Sequence, residues 1–320
     1  MNILVWHVHG SWMTAFVQGR HQYLVPTTHD RGPEGLGRAK TFTWPGSAWE
    51  LSPLELRQAP IDVVILQRPW EEELTEQWTG RRPGRDIPAI YLEHNTPKGE
   101  VPDTRHPVAD RDDLVLCHVT AFNELFWDNG DTHTVVIDHG IVDPGHRYRG
   151  DLPRGAVVVN EPLRRGRTVG TDLLPRLSQA APLDVFGMRT SGLAEHLGVA
   201  PDRCQSHELP QAALHDALAR RRMYLHPIRW TSLGLSLLEA MHLGLPVIAL
   251  ATTEAVEAIP PGAGVVSTRV DVLAEAAAHY LADPEAAAEA GHRARKAALE
   301  RYGLKRFLDD WDRLLEEVRR

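Results

Sequence analysis

The chain has 320 residues, 42% hydrophobic and 24% charged, which is ordinary globular usage, and its length suggests about two domains. A net charge of −8 argues against a protein that coats nucleic acid, and two cysteines, Cys117 and Cys204, cannot build a disulfide framework. Neither a basic stretch leading into a long apolar one at Met1 to His7 nor an apolar run longer than residues 245–251 is present, so the expectation is a cytoplasmic protein with no stable membrane anchor.

Short apolar runs alternate with helical stretches from the first residue. Residues 3–6 read as a buried strand ending at Gly10 and Ser11, with residues 12–17 able to form a helix. His7 and His9 would share one face of that strand, and no carboxylate or cysteine cluster joins them, which favours a structural role over zinc. Residues 61–66 form the next strand, stopped by Pro69, and residues 70–78 an acidic helix. Strands at 89–92, 113–117 and 134–137 follow, with a helix at 121–127, and Asp143-Pro144-Gly145 reads as a linker. A second series of strands occupies residues 156–159, 183–186, 223–225, 246–250 and 264–266. From Asp271 the chain is helical and alanine-rich, with breaks at Pro284 and Gly303.

This alternation indicates parallel sheets covered on both faces, hence an α/β protein of two Rossmann-like domains. The expected boundaries are 1–145, 146–300 and a terminal helix at 301–320. That helix carries an apolar stripe of Phe307, Trp311, Leu314, Leu315 and Val318 and would pack back toward the first domain. Residues 1–150 hold 14 basic and 21 acidic side chains, against 21 and 22 in the remainder. The second domain is the better host for an anionic ligand.

The most informative stretch runs from His226 to Ala249. A strand ends before Pro227, a loop of Thr231, Ser232 and Leu233 follows, and a helix opens near Gly234. Free backbone N–H groups and the helix dipole at such a start favour phosphate. Glu239 lies seven residues after Ser232, two turns on, so the two are expected on one face. Residues 157–174 place Asn160 and three arginines, Arg164, Arg165 and Arg167, between a strand and a helix, and arginine grips phosphate in a bidentate fork.

Leu238-Glu239-Ala240-Met241 followed by Gly244-Leu245-Pro246-Val247-Ile248-Ala249 resembles the C-terminal donor site of the family 4 glycosyltransferases, which have the GT-B fold of two Rossmann-like domains facing a central cleft. In that family a first Glu contacts the donor sugar and a second, eight residues later, contacts the nucleotide ribose. Here the first falls on Thr231 and the second on Glu239, so nucleotide binding carries over better than sugar recognition. The resemblance implies that Arg164 or Arg165, together with Arg167, meets the donor diphosphate. It also matches His94, after the strand in Tyr91-Leu92-Glu93-His94, to a catalytic histidine that faces the donor sugar across the cleft. Gly10 falls where the family has a flexible glycine turn, and Val136-Ile137-Asp138-His139-Gly140-Ile141 is similar to its segment before the linker.

By this resemblance the chain is a retaining, metal-independent glycosyltransferase that needs no cofactor, its nucleotide sugar being a substrate and its acceptor an unidentified soluble molecule. A nucleotide-sugar epimerase of the same fold and a non-catalytic sugar-nucleotide-binding protein are the alternatives, the latter suggested by Thr231. No Gly-x-x-x-x-Gly-Lys loop or Gly-x-Ser-x-Gly elbow is present. A dinucleotide dehydrogenase fits the alternation but lacks the glycine fingerprint, since Gly32-Pro33-Glu34-Gly35-Leu36-Gly37 reads as a loop.

Overall fold

The computed structural model describes residues 1–101 and 103–320. The chain divides into two compact units, one of Met1–Val142 with Leu304–Arg320, the other of Asp143–Gly303.

The first unit holds seven parallel strands: β1 (Asn2–Val5), β2 (Gln22–Pro26), β3 (Ala48–Leu51), β4 (Val63–Leu66), β5 (Ala89–Glu93), β6 (Val115–His118) and β7 (Thr134–Val136). They lie in the order β3-β2-β1-β4-β5-β6-β7. Leu4 is paired with Leu24 on one side and Val64 on the other, and Ile65 with Ile90. Every residue of β4 and β5 is buried, as a parallel strand covered on both faces requires. The last helix, Leu304–Val318, turns Phe307, Trp311, Leu314 and Leu315 inward. Its Trp311 ring lies 5.0 Å from Phe16 and 5.6 Å from Trp12, in edge-on contacts that favour aromatic pairs. His21 Nε2 meets Asp312 at 2.8 Å, and Arg306 donates to the backbone oxygens of Asp138 and His139.

The second unit holds six parallel strands: β8 (Leu152–Val158), β9 (Leu183–Phe186), β10 (Cys204–His207), β11 (Arg221–His226), β12 (Val247–Leu250) and β13 (Gly264–Ser267). Their order is β10-β9-β8-β11-β12-β13. Helices Leu174–Ala180, Gln211–Arg220, Leu235–Leu243, Val270–Ala282 and Pro284–Tyr302 accompany them. The last two break at Asp283, whose side chain caps the second by accepting from Ala286 N at 2.9 Å. Among the described residues no helix is long and apolar enough to cross a membrane.

Three strands have no counterpart in the sequence reading. β3, with the sequence Ala-Trp-Glu-Leu, and β10, with Cys-Gln-Ser-His, are sheet edges, paired on one side and partly exposed, so neither needs an apolar run. β2, Gln-Tyr-Leu-Val-Pro, offers only three consecutive apolar residues before Pro26. β1 ends at Val5, so His7 and His9 lie in a loop rather than on one strand face. Gly10 is the first residue of the helix Gly10–Phe16 and not a turn residue; a methyl group there would sit 2.9 Å from the Phe42 ring.

Candidate active site

In an open parallel sheet, the crevice beyond the carboxyl ends of the strands at the point where strand order reverses is where ligands bind. In the second unit that point lies between β8 and β11, and two loops leave from there. Residues 159–171 follow β8 and residues 227–234 follow β11. The backbone fixes them to one another: Arg229 N and Trp230 N both donate to Thr168 O, at 2.9 and 3.3 Å. Gly170, at φ +75°, passes so close that a Cβ would lie 2.0 Å from the Pro227 oxygen, so only glycine fits this crossing. Thr252 Oγ1 donates to Ile228 O and Glu254 N to Ser232 O, which tie down the rest of the loop.

The three arginines do not lie in an open loop. Arg164 and Arg165 belong to a short helical turn, Pro162–Arg165, and Arg167 to the 3-10 turn that follows. Glu161 begins the turn at φ +54°, a conformation that costs a non-glycine residue energy and that gathers at functional sites. Its carboxylate accepts from Arg164 Nε at 3.1 Å and from Arg189 Nη1 at 2.7 Å. Asp172 takes Arg167 at 2.8 Å and Arg229 at 2.6 and 2.9 Å. Arg165 differs from its neighbours. It is half-buried, and among the described residues its guanidinium has no hydrogen bond or ion pair. Burial, and then the charge of Arg164, push its pKa down. Asn160, after β8, is exposed and accepts from Met188 N at 2.9 Å.

Gly234 is the N-cap of the helix Leu235–Leu243. No side chain caps this start and no acidic residue lies in its first turn, so the backbone donors and the positive dipole end are not neutralised by side chains. A Cβ on Gly234 would sit 2.5 Å from the His226 ring, so the chain runs flush against that imidazole. Because the helix begins at Leu235, Ser232 lies in the loop and the shared helical face expected for Ser232 and Glu239 does not exist. Ser232 and Leu233 are buried, while Thr231 is half-exposed.

Glu239 is buried at 6% exposure. Its Oε2 accepts from Gln211 Nε2 at 2.9 Å and lies 3.4 Å from His215 Nε2. Both partners come from the helix Gln211–Arg220, and sequence reasoning did not find them. Their i, i+4 spacing puts them on one face, but nothing in the sequence aims that face at Glu239.

The first unit's reversal point lies between β1 and β4. His94, just after β5, is buried, and its ring lies 4.1 Å from that of His9 and 5.3 Å from Trp12, with His139 stacked at 6.3 Å. Gln67, after β4, donates through Nε2 to Trp6 O at 2.8 Å, so its Oε1 accepts from His94 Nε2 at 3.0 Å. His94 therefore carries its proton on Nε2 and presents Nδ1 as an acceptor. Burial holds all three imidazoles neutral: His94 far below its usual range, His9 at about 4 and His139 at about 3. Of these, His9 and Gln67 had no place in the sequence-derived site.

Residues 173–297, which take in the Gly234 loop and Glu239, match the family model described as glycosyl transferases group 1. Among solved structures, the sucrose-phosphate synthase of Thermosynechococcus elongatus is 15% identical with a TM-score of 0.72, over 99% of this chain and 98% of that one. A glycosyltransferase from Rickettsia africae is 13% identical with a TM-score of 0.70, over 99% and 98%. HepE from Anabaena, in complex with UDP, is 12% identical with a TM-score of 0.69, over 99% and 100%. No curated protein matches the sequence. The two parallel sheets, with these likenesses, define an α/β protein of the GT-B fold. The group 1 match lies within the second unit, and the chain as a whole shares the fold of these solved glycosyltransferases.

Proposed function

We propose that the chain moves a glycosyl group from a nucleotide-sugar donor to a soluble hydroxyl-bearing acceptor, with retention of anomeric configuration. One observation carries this reading: the half-buried Arg165 guanidinium, which has no hydrogen bond or ion pair among the described residues, on the loop at the reversal point of the second sheet. Burying a lone cation is costly, and a diphosphate would supply the missing anion with geometry suited to the guanidinium fork. The uncapped Gly234 helix start, on the other loop that leaves this point, adds backbone donors. The complex of HepE with UDP supports a nucleotide donor.

In this reading Arg164, Arg167 and Asn160 form the rim of the diphosphate site, and Glu239 accepts from the ribose hydroxyls. Thr231 meets the donor sugar with a neutral hydroxyl where a carboxylate is the family's usual choice, and Ser232 and Leu233 shape the loop. As the anomeric C–O bond breaks, negative charge builds on the departing nucleoside diphosphate. Arg165 stabilises that charge more than it stabilises the bound donor, which is what lowers a barrier. The acceptor oxygen attacks from the leaving-group side, and its proton passes to the departing phosphate oxygen. In the first unit, His94 serves as a neutral hydrogen-bonding group toward a sugar hydroxyl.

The test is a thermal-shift panel of UDP, GDP, ADP and dTDP, followed by transfer from the labelled sugar of the best binder into cell extract. A raised melting temperature with one nucleotide and an acceptor-dependent labelled product are expected. Reversible sugar isomer formation without acceptor, or binding with no turnover, would overturn glycosyl transfer.

A further inference from the structure

Glu239 is a buried carboxylate, and such a group keeps its place only where donors are built for it. Here one donor comes from a neighbouring helix. Gln211 Nε2 lies 2.9 Å from Glu239 Oε2 and also 2.9 Å from His215 Nε2, while the direct distance from His215 Nε2 to Glu239 Oε2 is longer, at 3.4 Å. With His215 in the tautomer that leaves Nε2 without a proton, the two hydrogens of one amide serve both short distances: one goes to the carboxylate and the other to the ring nitrogen's lone pair. Gln211 is thus a wedge, held in its rotamer by His215, that pins one oxygen of Glu239. Gln211 and His215, one helical turn apart, lie on the same face, and His215 acts on that oxygen through Gln211.

We propose that Gln211 and His215 are positioning residues that fix the Glu239 carboxylate so that the second unit selects ribonucleotides over deoxyribonucleotides. The inference rests on the reading that Glu239 meets the ribose. Discrimination for a hydroxyl depends on a polar group held where the hydroxyl arrives, because the analogue that lacks it leaves that group unpaired. A carboxylate free to rotate would re-pair with water and lose that selectivity. A pinned one cannot.

The experiment is calorimetric titration of the full chain with UDP, GDP and ADP, each beside its 2′-deoxy counterpart. The wild type is expected to favour the ribose form of the nucleotide it binds by about tenfold or more, the scale of one charged hydrogen bond. In Gln211→Ala the preference should shrink to less than about threefold through weaker binding of the ribose form, with the deoxy form nearly unchanged. His215→Ala should give a smaller loss in the same direction, and His215→Gln, which can still meet the amide, should restore part of it. Gln211→Glu, which sets a second carboxylate against the first, should weaken the ribose form most. Melting temperatures near that of the wild type confirm that the variants fold, and His215→Ala keeps the question open to decision if one Gln211 variant does not. If Glu239→Ala leaves the ribose preference intact, the ribose reading itself is wrong. If Glu239→Ala abolishes it while Gln211→Ala and His215→Ala both keep it, the positioning role alone is overturned.

Discussion

In the first unit the strand order reverses between β1 and β4, and the side chains gathered beyond that sheet edge are rings; in the second it reverses between β8 and β11, and the two loops that leave there carry guanidinium groups and an uncapped helix start. His9, His94, His139 and Trp12 are packed against one another, and the three imidazoles are held neutral. Around the second reversal point two carboxylates, Glu161 and Asp172, take up Arg164, Arg189, Arg167 and Arg229, and Arg165 is left over. Topology therefore sets where a ligand can lie, and side-chain chemistry sets its charge. The first crevice suits neutral hydroxyl groups, the second an anion.

The aromatic side of this contrast can be broken from the far end of the chain. Trp311 is 1% exposed and touches Trp12 and Phe16, and Trp12 in turn lies against His94. Trp311→Ala should cost about 3–5 kcal/mol of stability, as for other buried aromatics. Trp311→Phe should cost clearly less. Denaturant melts of both variants check this, and an unchanged midpoint for Trp311→Ala would mean that the helix Leu304–Val318 is peripheral.

The charged side is tested next. If Arg165 acts as proposed, Arg165→Ala should lower kcat/KM about a hundredfold, close to 2.7 kcal/mol. Arg165→Lys should recover only part of the rate, since it keeps the charge and loses the fork. Initial rates with the labelled donor decide the matter. Full turnover in Arg165→Ala would remove this residue from the mechanism.

Much of this contrast was legible in the sequence, and the reason is physical. Strands buried on both faces, such as β4, β12 and β5 up to its last residue Glu93, are apolar runs, so they stand out. The helix start at Gly234 and the breaks near Pro284 and Gly303 follow from local backbone chemistry. Edge strands β3 and β10 escaped because their pairing, not their composition, makes them strands. The identity of the unpaired arginine was also hidden. It depends on a left-handed Glu161 that turns its carboxylate to Arg164, and on Asp172 reaching both Arg167 and Arg229. Gln211 and His215 stand 28 and 24 residues from Glu239, and only helix packing brings them to it. The closeness of His9 to His94 likewise comes from the ends of β1 and β5, the two strands that flank β4, and from no spacing in the chain.

The neutral histidines give the first crevice a signature in acid. Their folded-state pKa values lie below the usual 6.5 because burial disfavours the charged ring, so the unfolded chain binds more protons between pH 6.5 and about 4. Their contribution to stability is complete above pH 6.5 and is lost as the pH falls toward the folded values. Each can contribute up to about 1.4 kcal/mol per pH unit in that window. Glu161 and Asp172, whose arginine partners depress their pKa values, act in the same direction, but only below the ordinary carboxylate range. Urea melts from pH 7.5 to 4.5 should therefore fall more steeply for the wild type than for His139→Asn. Parallel curves would place the acid sensitivity outside the histidine cluster.

The smallest expected effect sharpens the contrast most, because it separates neighbours of the same type. Arg164 and Arg167 are largely exposed, with side chains 68% and 75% accessible, and each already faces a carboxylate. A surface ion pair of this kind is worth little, in the range of about 0–1 kcal/mol, and its charge is already balanced before any ligand arrives. Recruiting either arginine to a diphosphate would break a pair to make a pair, so the net gain on binding is small. Arg165 makes no such exchange. Arg164→Ala and Arg167→Ala should therefore change kcat/KM by less than about fivefold, with a loss that shrinks further as salt is raised, since exposed charges are screened. Rates for the three alanine variants at low and moderate ionic strength provide the comparison. Equal losses in all three would mean that the arginines act as one diffuse basic patch, and the distinction drawn from Glu161 and Asp172 would fall. A large loss in Arg164→Ala alone would instead mean that Glu161 releases its partner when the donor binds, and that the left-handed turn is the moving part of the site.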